Sequence, residues 1–297
     1  MSAQPTSDRK KITTLTFRQR KEQGEPVTVL TAYDYATALA ADRAGIDCLL
    51  VGDSLGMVVL GYENTLSVTM EDMLHHCKAV ARGAKAPLLI GDMPFMSYQV
   101  STQEAVRNAG RFLAEGGMDA VKLEGGREAA STAEAIVNVG IPALGHIGLT
   151  PQSVHKLGGY KAQGRTARAA HRLIDDALIL EDAGCFAVVL EAIPDRVAEL
   201  ISRKLSIPTI GIGAGAGCDG QVLVSHDMLG LFDRFTPKFV KKYADMHGEM
   251  LRAFAEYKAD VIARRFPAEA HVYPMPDDEW QALLAELEGE MELPLTR

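Results

Sequence analysis

Five ionisable side chains recur at one kind of position: Asp53, Asp92, Glu124, His146 and Glu191 each stand at the far end of a short apolar run. Each run begins shortly after a glycine (Gly45, Gly83, Gly117, Gly140 and Gly184), the residue suited to the left-handed turn that ends a helix. A single carboxylate in such a place caps the next helix or pairs with a surface cation. Four carboxylates and a histidine in successive runs point instead to a shared site. Asp53, Asp92 and Glu124 offer oxygen without a companion cysteine, and only His146 adds nitrogen, so the set suits a hard cation such as Mg²⁺ better than Zn²⁺. Mg²⁺ takes one or two protein carboxylates and fills its octahedron with water and substrate oxygens, two of which a 2-oxo acid supplies at chelating spacing. Chelation makes the C–H beside the carbonyl acidic, and such a site needs a base.

Glu191, between Leu190 and Ala192, has the apolar neighbours that raise a carboxylate's pKa and strengthen it as a proton acceptor. Its structural alternative is a cap before Pro194. Lys122 precedes Glu124 by two positions, so in a strand both side chains leave on the same side. It is placed to steady an anionic substrate or enolate, or, in a rival aldolase mechanism, to form a Schiff base with a carbonyl. His146, in G-H-I-G-L-T-P-Q, either donates a hydrogen bond to the same oxyanion or is a satisfied structural residue.

Such residues must sit at the C-terminal ends of parallel strands, where α/β sheets bind their ligands. Strand-like runs at 27–33, 46–52, 87–91, 120–123, 141–145, 186–190 and 207–212 alternate with helical patterns at 35–44, 70–84, 102–115, 127–139, 166–183 and 194–205. An eighth unit is read from a short strand at 235–240 and a long helix at 248–266. Eight such units in about 250 residues predict a (β/α)₈ TIM barrel, with an open doubly wound sheet as the alternative. No Pro/Gly/Ser-rich linker divides the chain, so the expected organisation is a flexible start over 1–12, one barrel domain over 13–266 and an extension over 267–297. A helix at 13–24 is expected to cap the barrel bottom. In the extension Asp277 can cap an extra C-terminal helix with Trp280, Leu283, Leu284, Leu287 and Met291 on one face, to be covered by its own barrel or by a neighbouring subunit.

A net charge of −8 without a dense Lys/Arg cluster argues against nucleic acid or an anionic membrane as a partner. Cys48, Cys77, Cys185 and Cys218 form no C-x-x-C pair, and the start of the chain has no apolar leader, so a cytoplasmic protein with free thiols is expected. G-A-G-C-D-G at 215–220 matches a dinucleotide fingerprint formally but falls after the seventh strand, out of context. Ser225, His226 and Asp227 are consecutive and cannot converge as a hydrolase triad, and His75, His76 and Cys77 diverge around a helix.

The segments T-A-Y-D at 31–34, V-G-D-S-L-G-M at 51–57, G-D-M-P-F at 91–95, V-K-L-E-G-G at 121–126, G-H-I-G-L-T-P-Q at 145–152, G-G-Y-K-A-Q-G-R at 158–165, V-L-E at 189–191 and I-G-I-G-A-G at 210–215 resemble, in order, those of the ketopantoate hydroxymethyltransferase family. The resemblance implies a (β/α)₈ barrel and a homodecamer. It implies Mg²⁺ on Asp53 and Asp92 with Glu124 near the ion, directly or through water. Asp53, Ser54, Asp92, Lys122 and His146 match positions around the oxo acid, and Glu191 matches the proton acceptor. The implied reaction moves a one-carbon unit from 5,10-methylenetetrahydrofolate to 3-methyl-2-oxobutanoate through a Mg²⁺-stabilised enolate, giving 2-dehydropantoate for pantothenate synthesis. The enzyme alternative is a metal-dependent lyase or mutase of another 2-oxo acid, against which the T-P-Q and G-G-Y-K segments count. The non-enzyme alternative is a silent barrel that binds an oxo acid or serves as a scaffold.

Overall fold

Eight short parallel strands close into a barrel in chain order in the computed structural model, which describes residues 9–291. They are β1 (Val27–Thr31), β2 (Cys48–Val51), β3 (Leu88–Asp92), β4 (Ala120–Glu124), β5 (Ala143–Gly148), β6 (Ala187–Glu191), β7 (Thr209–Ile212) and β8 (Gly220–Leu223). β8 returns to β1 with Val27 opposite Gly220 and Val29 opposite Val222. The alternation of a strand sorts the apolar residues into two cores. Val29, Cys48, Leu50, Leu88, Ile90, Ala120, Leu144, Ala187, Val189 and Ile210 pack together inside the barrel. Leu49, Leu89, Val121, Leu123, Val188 and Leu190 turn outward against the helices. Continuing the inner register by two places puts Asp92, Lys122, Glu124, His146 and Glu191 on the interior at the C-terminal mouth.

Seven of the expected strands stand where the apolar runs placed them, and the eighth does not. Residues 235–240 are not a strand; β8 is Gly220–Leu223, reached from β7 by a seven-residue loop with no helix. It is followed by one helical turn, Ser225–Met228, instead of a long crossover helix. The apolar side chains of Phe235 and Phe239 line the central cavity.

The N-terminal helix is Thr14–Gln23, with Thr13 accepting the N–H of Thr16 and Gly24 closing the end at φ 70°. Its Phe17 is buried in the lower barrel core. Just before β2, β4 and β8 stand Asp47, Asp119 and Asp219, and each performs the same double task. Asp47 accepts the N–H of Thr28 on β1 at 3.0 Å and pairs with Arg20 at 2.8 Å. Asp119 accepts the N–H of Leu89 on β3 at 2.8 Å and pairs with Lys11 at 2.6 Å. Asp219 accepts the N–H of Thr209 on β7 at 2.8 Å and pairs with Lys21 at 2.8 Å. Of the segment 1–12 expected to be flexible, residues 1–8 lie outside the described residues. Arg9 donates to the carbonyls of Asp42 and Ile46, and the Ile12 N–H bonds the Ala86 carbonyl at 2.8 Å.

The chain divides into two compact units, Met1–Ala244 and Asp245–Arg297. The second unit contains the helix Met246–Ile262, whose first turn is capped by Asp245 accepting the Gly248 N–H, and a final helix, Asp277–Met291. The rings of Tyr257, Phe266 and His271 follow one another at 5.7 and 5.2 Å. Trp280, Leu283, Leu284 and Leu287 fall on one face of the final helix by its periodicity, and the Met291 side chain lies outside the described residues. No helix among the described residues is long and apolar enough to cross a membrane. Cys48, Cys77, Cys185 and Cys218 are free thiols.

Candidate active site

The mouth of the barrel opens into a cavity of about 1110 Å³ lined by Asp53, Asp92, Lys122, Glu124, His146 and Glu191. All six sequence-identified residues therefore meet, and Ser54 joins them. Strand ends supply all but Asp53 and Ser54. Those two follow Gly52 in the loop that leaves β2, where the Asp53 N–H donates to Asp92 Oδ2 at 3.2 Å.

Lys122 is the hub. Its ammonium lies 2.8 Å from Asp92 Oδ1, 3.2 Å from His146 Nδ1 and 3.7 Å from Glu124 Oε1, and the side chain is buried. Burial works against its charge, yet Asp92, Glu124 and Asp53 together outweigh it and hold its pKa above the ordinary lysine value. The amine therefore stays an ammonium at neutral pH. His146 is pushed the other way: burial and the Lys122 charge put its pKa well below the ordinary value, so the ring is neutral. A neutral ring whose Nδ1 accepts from the Lys122 ammonium carries its proton on Nε2, by hydrogen-bond logic. Nε2 lies 3.2 Å from Glu191 Oε2.

Glu191 has its pKa raised to about 7 by burial, with Lys122 pulling it back. It is a base poised near neutrality at the edge of the cavity. Burial likewise raises Asp92 to about 7 against the Lys122 charge and lifts Glu124 well above the usual range. Asp53, Asp92 and Glu124 crowd around one ammonium, and a cation bound there would favour their ionised forms. Glu124 Oε1 is buried with no hydrogen-bond partner, its closest cation being Lys122 at 3.7 Å. Among the described residues no three His, Cys, Asp or Glu side chains form a metal cage of their own. The donors that line the mouth, Asp53, Asp92 and Glu124, are carboxylate oxygens, the chemistry of a hard cation such as Mg²⁺.

Ser54 Oγ lies 2.8 Å from the Tyr33 hydroxyl, whose pKa burial raises. Tyr33, Tyr98 and Gln152 were not singled out by sequence; Tyr33 and Gln152 had a signal, their places in T-A-Y-D and T-P-Q, and Tyr98 had none. The discounted motifs do not form the arrays their letters spell, although Asp227, Gly215, Cys218 and Gly220 line the cavity. Ser225 Oγ lies 3.2 Å from Thr31 Oγ1, and the His226 ring is tilted at 60° to that of Tyr33, with ring centres 5.3 Å apart. His76 Nδ1 meets the Tyr33 carbonyl at 2.6 Å. The glycines of 215–220 serve the β7–β8 turn, with no helix opening behind them as a dinucleotide fingerprint requires.

The sequence profile described as ketopantoate hydroxymethyltransferase matches residues 11–269. A 3-methyl-2-oxobutanoate hydroxymethyltransferase of Oleidesulfovibrio alaskensis is 61% identical over 253 residues, 85% of this chain and 88% of the relative. Another, from Enterococcus faecalis, is 57% identical over 273 residues, 92% of this chain and 99% of the relative. Among solved structures, phosphonopyruvate hydrolase complexed with oxalate and Mg²⁺ aligns with a TM-score of 0.59 at 13% identity, covering 94% of this chain and 98% of that one. 2,3-Dimethylmalate lyase aligns with a TM-score of 0.55 at 14% identity, covering 94% and 96%. These structural likenesses establish the barrel fold.

Proposed function

The chain belongs to the ketopantoate hydroxymethyltransferase family and acts as a 3-methyl-2-oxobutanoate hydroxymethyltransferase of pantothenate synthesis, and we propose how its strand-end site performs that reaction. The observation that carries the proposal is Glu191, a base with a pKa of about 7 beside the buried Asp92–Lys122 pair in one cavity. The oxo acid lies on the cavity floor among Asp53, Ser54, Asp92, Lys122 and His146. Asp53 and Asp92 would hold Mg²⁺, with Glu124 beside it; when bound, the ion neutralises the substrate carboxylate and draws electron density from its carbonyl.

Glu191 accepts the C3 proton in its ionised form. His146, neutral and carrying its proton on Nε2, faces Glu191 Oε2 across 3.2 Å with no other partner for that N–H. As the proton leaves, negative charge collects on the former carbonyl oxygen, and the Lys122 ammonium stands ready for it without having to reorganise. The C3 electron pair then attacks the methylene carbon of 5,10-methylenetetrahydrofolate. That carbon is bonded to two folate nitrogens: one C–N bond breaks as the C–C bond forms and the other as water delivers its hydroxyl, each electron pair staying on nitrogen. One nitrogen takes the second proton of that water and the other the proton that Glu191 removed, which leaves tetrahydrofolate and 2-dehydropantoate.

The same reading makes the protein a cytoplasmic homo-oligomer, a homodecamer by family likeness, which its mass in solution tests. Turnover with methylenetetrahydrofolate and 3-methyl-2-oxobutanoate tests the reaction. The expected result is 2-dehydropantoate formation that chelator abolishes and Mg²⁺ restores. Full activity in the presence of excess chelator overturns the assignment of the ion.

A further inference from the structure

Gln152 is a neutral side chain set among charges. It occupies the single 3₁₀ turn Pro151–Ser153 that follows β5, and it is buried. Its amide nitrogen donates to Asp53 Oδ2 at 3.0 Å and to the Met93 carbonyl at 2.9 Å. Its amide oxygen accepts from the Tyr98 hydroxyl at 2.7 Å and from Gln99 Nε2 at 3.1 Å. Its backbone N–H donates to Glu124 Oε2 at 3.0 Å. One residue thus ties together groups from beyond the ends of β2 and β3 and from the end of β4, with all four hydrogen-bonding positions of its amide in use.

The orientation of that amide is itself determined. The Met93 carbonyl can only accept, so the amide end 2.9 Å from it is the NH₂, and the Tyr98 hydroxyl proton, shared between the Glu124 carbonyl at 3.2 Å and the Gln152 oxygen at 2.7 Å, has its shorter contact with that oxygen. The NH₂ end is then the end that faces Asp53, as a carboxylate oxygen requires. A glutamate of the same shape would turn both of those donors into acceptors facing a carboxylate and a carbonyl.

A carboxylate free to rotate must be ordered when a cation binds, and that ordering weakens affinity. Here one oxygen of Asp53 and one of Glu124 are held by Gln152, while Glu124 Oε1 is buried with no hydrogen-bond partner. We propose that Gln152, oriented by Tyr98, is a positioning residue that holds Asp53 and Glu124 with one oxygen each turned toward the cation. The proposal rests on the Mg²⁺ reading given under Proposed function. It gives the T-P-Q segment a physical role: the turn delivers a backbone donor and a side-chain amide to two different carboxylates from one residue.

The test is a calorimetric Mg²⁺ titration of the full chain without oxo acid, for wild type, Gln152→Leu and Tyr98→Phe, together with the turnover rate as a function of Mg²⁺ concentration. Gln152→Leu keeps the volume and removes every side-chain hydrogen bond. Its Mg²⁺ Kd is expected to rise about 10- to 100-fold, the range seen when groups that orient metal ligands are lost. Its rate should recover toward wild type as Mg²⁺ is raised. Tyr98→Phe removes one hydroxyl and should shift Kd in the same direction by a smaller factor. A merely structural residue would lower the melting temperature and kcat without moving the Mg²⁺ dependence.

If Gln152→Leu does not fold, Tyr98→Phe decides. A Mg²⁺ Kd within about twofold of wild type in the folded variants would overturn the role of Gln152 while leaving the metal reading intact. A wild-type chain that takes up no Mg²⁺ would overturn the metal reading, and this inference with it.

Discussion

Glu191→Gln isolates the proposed base, because proton removal from C3 precedes any contact with the folate methylene. Wild-type protein with Mg²⁺ and no folate should exchange the C3 proton of 3-methyl-2-oxobutanoate for deuterium. Burial raises the Glu191 pKa to about 7, so the ionised, active form is present above that pH and lost below it. For a group of that pKa, about nine-tenths is ionised at pH 8 and about one-tenth at pH 6, so wild-type exchange at saturating Mg²⁺ should fall roughly tenfold between them. Glutamine still offers His146 Nε2 an oxygen at the position Glu191 Oε2 holds, 3.2 Å away, so the ring and Lys122 beyond it keep their places. What disappears is the basicity, and exchange should drop by about 10²- to 10⁴-fold, with the pH limb gone. The assay follows the C3 resonance by NMR in deuterated water. Exchange at the wild-type rate in a folded Glu191→Gln protein that still binds the oxo acid would refute the assignment and send the search to His146.

Asp53→Ala and Asp92→Ala should each raise the Mg²⁺ Kd by about tenfold or more, and Glu124→Ala by less if its contact runs through water; calorimetry on the folded double variant decides, and unchanged affinity there would sink the ligand assignment. Borohydride added with the oxo acid should leave Lys122 unmodified, because a lysine held above its ordinary pKa is a poor amine nucleophile; a labelled Lys122 peptide in the mass spectrum would instead establish the Schiff-base route. Lys21→Ala should cost about 1–3 kcal/mol, because it leaves the largely buried Asp219 without its cation; urea unfolding followed by circular dichroism measures this, and a change below about 0.5 kcal/mol would show that the pair contributes little.

The barrel was legible because seven of its strands are apolar runs set between helical patterns, and at the far end of five of those runs stands an ionisable residue, Asp53, Asp92, Glu124, His146 or Glu191. Asp92, Lys122, Glu124, His146 and Glu191 could be placed together because strand periodicity alone puts them on the interior. β8 broke that pattern. It is four residues long, begins on Gly220 and follows a turn, not a helix, so no glycine-capped helix announced it. The run at 235–240 took its place in the sequence reading because an apolar segment that lines a cavity has the same composition as a strand. Tyr98 and Gln152 escaped notice for a different reason. Neutral side chains in loops carry no periodic signal, and their partners, Glu124 at 26 and 28 residues' separation and Asp53 at 99, become neighbours only once the barrel closes.

The three aspartates beneath the barrel carry a consequence for the order of events in folding. Lys11, Arg20 and Lys21 all precede the first strand, but Lys21 finds its partner 198 residues later, in the turn that begins β8. The helix that bears it can form locally at once, and Arg20 meets Asp47 only 27 residues on, yet the Lys21 charge has no Asp219 to pair with until the last strands are in place. Contacts of such separation carry the largest loop-closure cost and are the natural ones to form after the rate-limiting step. A latch set that late does little to speed the barrel's formation; it acts on how long the barrel stays shut.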